Sequence, residues 1–309
     1  MTDCDNASKK TSVVNPELKE ESIEALRTVI RTQSEWVKVH AAEFLLWSGY
    51  PEGVREIYIE EEKQFGGKSP YRIGIWRVLA QETEKPEEKK KWTNKIMYAF
   101  LDTNGADRIH AAETLAKLHI STLKEHPDAT AQALKSPVKS LSLYTRWSIA
   151  FTSADSLLSV RDSFLSMATS GEEEVSSRRL AAYVVRNSGE LPDAQWEPFA
   201  KAALAESGTS GLSSSLLTAA VITVPGNITS SGLYRQVYEA FLHYKDVPDK
   251  GTRMDIAAGL AEKGNAGELP VLVALLKNES PLGIEADDAD VRASAAYAIL
   301  KMEKRLSAK

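Results

Sequence analysis

Cysteine is nearly absent from this sequence: Cys4 is the only one among 309 residues. A single cysteine can form neither an intramolecular disulfide nor a metal site made of cysteines alone. Long hydrophobic runs are also missing, and none approaches the roughly 20 apolar residues that a transmembrane helix requires. The formal net charge is −5, whereas proteins dedicated to nucleic acid usually carry a basic surplus. The sequence therefore predicts no transmembrane segment and no nucleic-acid partner.

The polar stretch that begins at Cys4, CDNASKKTSVVN, has two interpretations. It resembles the start of a mature bacterial lipoprotein, which would give the protein a lipid anchor at Cys4 and place it in the periplasm or envelope. However, Met1–Asp3 do not look like a lipobox, and no apolar signal region precedes Cys4. We therefore predict a disordered polar tail over residues 1–18, a single domain over 19–309 and, if Met1 is the true start, a cytoplasmic protein.

Internal repeats organise the rest of the chain. VKVHAAEFL at 37–45 and DRIHAAETL at 107–115 are similar, and YRIGIWRVL at 71–79 lies between them. Each carries a basic residue at its second position, which we call the anchor. The same frame continues at spacings near the period of helix-pair repeats, with a weaker copy near Ser214. The anchors are Lys38, Arg72, Arg108, Arg146, Arg178, Arg253 and Arg292.

Glycine follows the anchor by eleven residues in three repeats, at Gly49, Gly189 and Gly264. Glycine just past a helix is a common stop signal because it adopts a left-handed conformation at little cost. After each glycine a new amphipathic run begins, so each unit is predicted to be a helix, a turn and a second helix. The Gly/Ser-rich stretches 207–215 and 226–232 predict longer loops or an irregular repeat.

The segment 286–302, ADDADVRASAAYAILKM, resembles the second helix of a HEAT repeat. It has acidic residues, then Val291 and Arg292, then alanines and Ile299 at helical spacing. The resemblance is to bacterial HEAT-repeat proteins and covers roughly residues 20–305. It implies an all-α fold, a right-handed α-α superhelix (HEAT-like solenoid) of about eight helix-pair repeats. It implies little about function, because function belongs to sites rather than to folds.

Two faces of each anchored helix follow from helical spacing. Positions −1, +3, +6 and +7 from the anchor are apolar and form a packing stripe. Positions −2, +2, +5 and +9 share another face, which the HEAT resemblance implies is concave. Later repeats place Tyr183 and Tyr297 there, but the N-terminal repeats are richer in ionisable and aromatic groups. The predicted ligand-binding patch therefore consists of Trp36, His40, Glu43, Trp47, Trp76, Arg77, His110 and Glu113.

Several of these side chains are predicted to meet if adjacent repeats stack in register. Glu43, Arg77 and Glu113 would form a row, with His40 and His110 on either side of a gap at Gly74. An arginine between carboxylates could bind an anionic or hydroxyl-rich ligand, with tryptophan faces stacking on a sugar or cation. The alternative is a set of salt bridges between repeats and tryptophans in the core. The anchors themselves are predicted to join helices by bonding to carbonyls or carboxylates.

The sequence favours a non-catalytic binding or scaffold protein whose concave face binds a protein segment, the favoured partner, or a carbohydrate. The alternative is an enzyme that acts on a sugar or other polar small molecule through the N-terminal patch, with histidine and glutamate as acid and base. The five histidines form no HExxH motif, and there is no P-loop or Rossmann glycine fingerprint. We therefore predict no cofactor and no bound metal.

Overall fold

The protein is all-helical in its computed structural model, which describes residues 14–206 and 210–308 and contains no strand within them. Two 3₁₀ turns, at Gly226–Ile228 and Ala266–Glu268, join the α-helices. The helices are α1 (Pro16–Thr32), α2 (Glu35–Ser48), α3 (Val54–Phe65), α4 (Tyr71–Glu82), α5 (Pro86–Leu101), α6 (Arg108–Lys117), α7 (Thr122–Glu125), α8 (Pro127–Leu134), α9 (Lys139–Ile149), α10 (Ala154–Thr169), α11 (Val175–Arg186), α12 (Asp193–Ala205), α13 (Ser210–Ile222), α14 (Gly232–Leu242), α15 (Lys250–Lys263), α16 (Leu269–Leu276) and α17 (Glu285–Ser307).

Eight of the helices form a closed ring. The ring helices α2, α4, α6, α9, α11, α13, α15 and α17 each contact the next in this order, and α17 also packs against α2. Most of the other helices pack against the ring helix that follows them in the chain. The repeat pattern predicted helix pairs stacked in a row. It did not predict that the last pair would return to the first.

The contact between the two ends of the chain is partly aromatic. Phe44 of α2 stacks on Tyr297 of α17, with ring centroids 4.7 Å apart and an interplanar angle of 10°. At the other end of the same interface, the Gln33 amide donates to Glu285 Oε1 at 3.1 Å. Apolar packing and polar contacts therefore both hold the ring closed.

The anchors join neighbouring helices, as the sequence predicted. In three repeats the arginine Nε donates at 3.0–3.1 Å to a carbonyl oxygen in the last turn of the preceding outer helix: Arg108 to Phe100, Arg178 to Ala168 and Arg292 to Leu276. Basic side chains at this position satisfy carbonyls that the helix itself leaves unpaired. Lys38 and Arg72 pair instead with the carboxylates of Glu61 and Asp107.

Arg146 is the exception, because the predicted frame is displaced there. It lies near the C-terminal end of α9 and donates from Nη1 to Ser163 Oγ at 2.8 Å. In the other anchored repeats the anchor lies in the first turns of its ring helix. Lys139, the first residue of α9, is therefore the better anchor, and Tyr144 then falls at position +5.

Two of the three predicted glycine stops have the expected conformation. Gly49 and Gly189 have φ values of +89° and +83°. Gly264 does not, with a φ of −64°. It meets a different requirement, since a Cβ there would lie 2.6 Å from the Leu260 carbonyl oxygen and 2.8 Å from Met302 Cε.

The predicted segment boundaries need two corrections. Helix α1 begins at Pro16, inside the predicted tail 1–18, because the Asn15 side chain accepts the Leu18 N–H at 2.7 Å and caps the helix. Helix α13 begins at Ser210, so most of the predicted 207–215 loop is helical.

Cys4 lies outside the described residues. In the described ranges, no helix combines the length and apolar character that a bilayer span needs.

Gly74 is predicted to be required for the packing of α2 against α4. A Cβ at this position would lie 2.7 Å from Val39 Cγ2 and 3.1 Å from Trp36 Cζ3. We expect Gly74→Ala to lower the free energy of unfolding by about 1–3 kcal/mol, because the overpacked helices must separate. Urea denaturation measures this. Gly67→Ala is the control, since no atom lies within 4 Å of a Cβ there; equal losses in both variants would contradict the packing argument.

Candidate ligand-binding cavity

A cavity of about 510 Å³ lies at the centre of the ring. Seven of the eight ring helices contribute to its wall, all except α4. We call it the central cavity. Its volume falls in the range of small-molecule sites, which are about 300–1,000 Å³. Its aromatic wall residues are Phe44, Trp47, Tyr144, Tyr183 and Tyr297.

Half of the predicted patch lines this cavity: His40, Glu43, Trp47 and Glu113. These residues come from α2 and α6. Both helices therefore present their predicted polar face to the central cavity.

The other four predicted residues are not in the cavity wall. Trp36 stacks on His110, with centroids 4.9 Å apart, and its ring crosses Gly74, so the expected gap between the two histidines is filled. Arg77 is fully buried. Trp76 is in the core, where Lys95 Nζ lies 5.2 Å from its ring centroid.

Glu43 is held by a buried bidentate ion pair. Arg77 donates from Nε to Oε1 at 2.7 Å and from Nη2 to Oε2 at 2.8 Å. The Gln81 amide donates to Oε1 as well, at 2.7 Å. Burial alone would raise the pKa of Glu43, but the Arg77 charge and these hydrogen bonds outweigh it and lower the pKa. Glu43 is thus an ionised hydrogen-bond acceptor.

Glu113 pairs with Lys117 rather than completing a row with Arg77. Lys117 Nζ lies 2.7 Å from Glu113 Oε1, one turn further along α6. The remaining Arg77 nitrogen, Nη1, is directed towards Thr114 Oγ1 at 3.4 Å. Burial opposes ionisation of Glu113, but the Lys117 and Arg77 charges lower its pKa well below the ordinary value. The predicted row is therefore two separate ion pairs, joined only by longer-range attraction.

His40 connects the first repeat to the last. Its Nδ1 lies 2.9 Å from Asp290 Oδ1 on α17, and Lys250 Nζ on α15 lies 2.9 Å from Asp290 Oδ2. Asp290 is buried, whereas the His40 side chain is partly exposed in the cavity wall. A carboxylate bonded to Nδ1 fixes the orientation of the imidazole ring.

Charged groups on the later ring helices are paired in the same way. Glu262 forms an ion pair with Lys301, and Arg186 Nη1 lies 2.7 Å from Asp255 Oδ1. Together with the pairs of Glu43 and Glu113, this gives every carboxylate in the cavity wall a cationic partner. The cavity is thus polar but has little unbalanced charge.

Aromatic rings form two sides of the cavity. On one side Trp47 lies edge-on to both Phe44 and Tyr297, with centroids 5.8 Å away in each case. Trp47 is half exposed although its Nε1 already donates to Gln81 at 2.9 Å. On the other side lie Tyr144 and Tyr183. Burial raises the pKa of Tyr144 and Tyr297, so both hydroxyls stay protonated and can donate hydrogen bonds.

The C-terminal wall residues were missing from the predicted patch. Tyr297 was recognised on the polar face of its helix, and only ring closure brings this helix beside His40. Ser294 Oγ is buried without a hydrogen-bond partner and lines the cavity. Tyr144 was missed because of the displaced Arg146 frame, and a basic residue in the first turn of α9 was the signal that could have found it.

The chain was compared with protein-family models, curated proteins and solved structures. None of them matches it. Its HEAT-like character therefore stays a prediction from the repeats. Within residues 14–206 and 210–308, no three His, Cys, Asp or Glu side chains are grouped so that they could hold a metal ion.

Proposed function

We propose that this protein is a non-catalytic binding protein whose central cavity holds an uncharged, hydroxyl-rich unit of a carbohydrate. The observation that carries the proposal is the combination of two aromatic walls with fully paired charges. The proposal also treats the helix pairs as HEAT-like repeats wound in the right-handed sense. The ring is then a solenoid whose curvature closes after about eight repeats.

The wall chemistry supports a sugar in particular. Aromatic rings such as Trp47 provide flat apolar surfaces, and their polar edges remain available for hydrogen bonds. Paired carboxylates still have free lone pairs that accept hydrogen bonds from hydroxyls, and tyrosine hydroxyls donate. A formally charged unit would find no unpaired partner in this wall, so a neutral unit fits best.

Ring closure makes a protein segment the weaker candidate for the ligand. The sequence suggested a long concave surface on which an extended peptide could lie. In the described chain the concave face is instead wrapped around a cavity of about 510 Å³. That volume suits one or two sugar rings better than an extended peptide that must run along several repeats.

An enzyme acting on a sugar is the second candidate, and the His40–Asp290 pair is the observation that favours it. Asp290 orients the imidazole, and His40 Nε2 has no hydrogen-bond partner among the described residues. A glycosidase, however, needs a carboxylic acid with a raised pKa as proton donor. The pKa values of Glu43 and Glu113 are lowered instead. Binding without catalysis is therefore the better supported function.

The test is calorimetric titration with a panel of neutral mono- and disaccharides. We expect Trp47→Ala to weaken the binding of the best sugar by about tenfold or more, because a stacking surface is lost. Tyr98→Ala is the matched control, since Tyr98 is 70% exposed on the outer helix α5. Equal affinity in wild type and Trp47→Ala would contradict the proposal. If the wild type instead converts the sugar into a product, and His40→Ala abolishes this conversion, the protein is the enzyme and not the binding protein.

A further inference from the structure

A second cavity, of about 460 Å³, adjoins the central cavity. The two share wall residues Tyr144, Tyr183, Arg186 and Met254. The residues found only in the second cavity lie mostly in the first turns of α11, α13 and α15. They include Arg179, Ser176 and Ser215. The two cavities thus meet at these four side chains.

Arg179 differs from the charged residues of the central cavity because no carboxylate bonds to it directly. It is exposed and has no hydrogen bond or ion pair within residues 14–206 and 210–308. By contrast, the charge of Arg186 is paired, because its Nη1 donates to Asp255 Oδ1 at 2.7 Å. The other oxygen of Asp255 accepts from the Ser215 hydroxyl at 2.8 Å. The Arg179 guanidinium thus keeps its hydrogen-bond donors free at the second cavity.

The Arg179 guanidinium lies close against two helix starts. A Cβ on Gly251, in the first turn of α15, would lie 3.0 Å from Nη2, and a Cβ on Gly211, at the start of α13, would lie 3.4 Å from Nη1. The glycine at 251 makes room for the cation there. Helix N-termini carry partial positive charge, so a cation beside them destabilises rather than stabilises these helices. Asp249, the N-cap of α15, attracts Arg179 at longer range, but its Oδ1 accepts hydrogen bonds from Thr252 rather than from Arg179.

We propose that the second cavity binds an anionic group (a phosphate, sulfate or carboxylate) of the ligand whose neutral unit occupies the central cavity. The ligand class is then an acidic sugar. This inference rests on the proposed function for the sugar unit, but the anionic site stands on Arg179 and its surroundings alone. Arg179 provides the charge-assisted hydrogen bonds, and the hydroxyls of Ser176 and Tyr183 provide further donors.

The experiment compares neutral hexoses with their 6-phosphates and uronic acids by calorimetric titration of the full chain, with inorganic phosphate as a separate probe. In wild type, the acidic sugar is expected to bind about tenfold more tightly than its neutral parent. In Arg179→Ala the preference disappears and the affinity for the neutral sugar is unchanged. Arg235→Ala, which removes an exposed arginine on the outer helix α14, keeps the preference.

The possible failures are distinguishable. Equal affinity for neutral and acidic sugars in wild type, or a preference that survives in Arg179→Ala, overturns the anionic site and leaves the sugar cavity standing. Binding of inorganic phosphate that depends on Arg179, without binding of any sugar, supports the anionic site and overturns the proposed function. If none of the probes binds, both proposals are overturned.

Discussion

Replacing Arg77 with methionine is expected to lower the free energy of unfolding by about 3–5 kcal/mol, because it leaves the Glu43 carboxylate buried without its cation. The two side chains are only 1% and 4% exposed, and two hydrogen bonds of 2.7 and 2.8 Å join them. Lys117 also attracts Glu43, but its ammonium group is already paired with Glu113. Denaturant unfolding at neutral pH, followed by circular dichroism, measures the loss.

Two controls separate this effect from a loss of volume or of charge in general. In Arg77→Met/Glu43→Met both charges are gone, and we expect most of the lost stability to return, because an apolar pair often replaces a buried ion pair at little cost. Lys201→Met breaks an exposed pair with Glu197 and is expected to cost less than about 1 kcal/mol. If Arg77→Met is no more destabilised than Lys201→Met, Glu43 does not depend on its partner.

The face that lines the central cavity could be predicted from the sequence. Glu43, Glu113 and Tyr183 all stand at position +5 from their anchors, and all three line the cavity. A fixed offset within a helical repeat selects a fixed face, so the repeat frame predicts which side of the helix faces inward. Arg77, also at position +5, is the exception, because it is buried against Glu43 and does not line the cavity. Where the frame was displaced, at Arg146, the corresponding wall residue Tyr144 was lost.

Ring closure could not be predicted in the same way. Each repeat contacts only its neighbours, so its sequence pattern is the same in an open and in a closed arrangement. Closure depends on the small rotation between successive repeats, added over the whole chain. For this reason His40 was predicted without its partner Asp290, and Tyr297 was left out of the patch although both its spacing and its residue type fitted.

Asp290 provides a direct test of closure, because it joins three ring helices at the point where the chain ends meet. We expect Asp290→Asn to lower the free energy of unfolding by about 2–3 kcal/mol, since His40 and Lys250 lose a buried charged acceptor. Asp287→Asn is the control. It also contacts Lys250, at 3.0 Å, but it is more exposed and has no bond to His40. A loss below about 1 kcal/mol is expected there.

The Asp290 contribution should depend on pH with a definite sign. Burial raises the pKa of Asp290, but His40 and Lys250 together outweigh burial and lower the pKa. A carboxyl group with a lowered folded-state pKa stabilises the fold fully above its ordinary pKa near 3.9, and this contribution is lost as the pH falls through the folded-state value. The stability difference between wild type and Asp290→Asn is therefore expected to be retained above about pH 4 and to shrink below it.

Closure itself can be measured as a distance between α1 and α17. Lys19 and Glu303 form an ion pair of 3.6 Å, so the two helices are close together at this point. Spin labels at the neighbouring exposed positions Glu20 and Lys304 report the distance between them. The labelled protein also carries Cys4→Ser, which removes the native thiol. We expect a short, narrow distance distribution in wild type and Asp287→Asn, and a broader, longer one in Asp290→Asn. An unchanged distribution together with the full stability loss would mean that the apolar contact of Phe44 with Tyr297 closes the ring without help from Asp290.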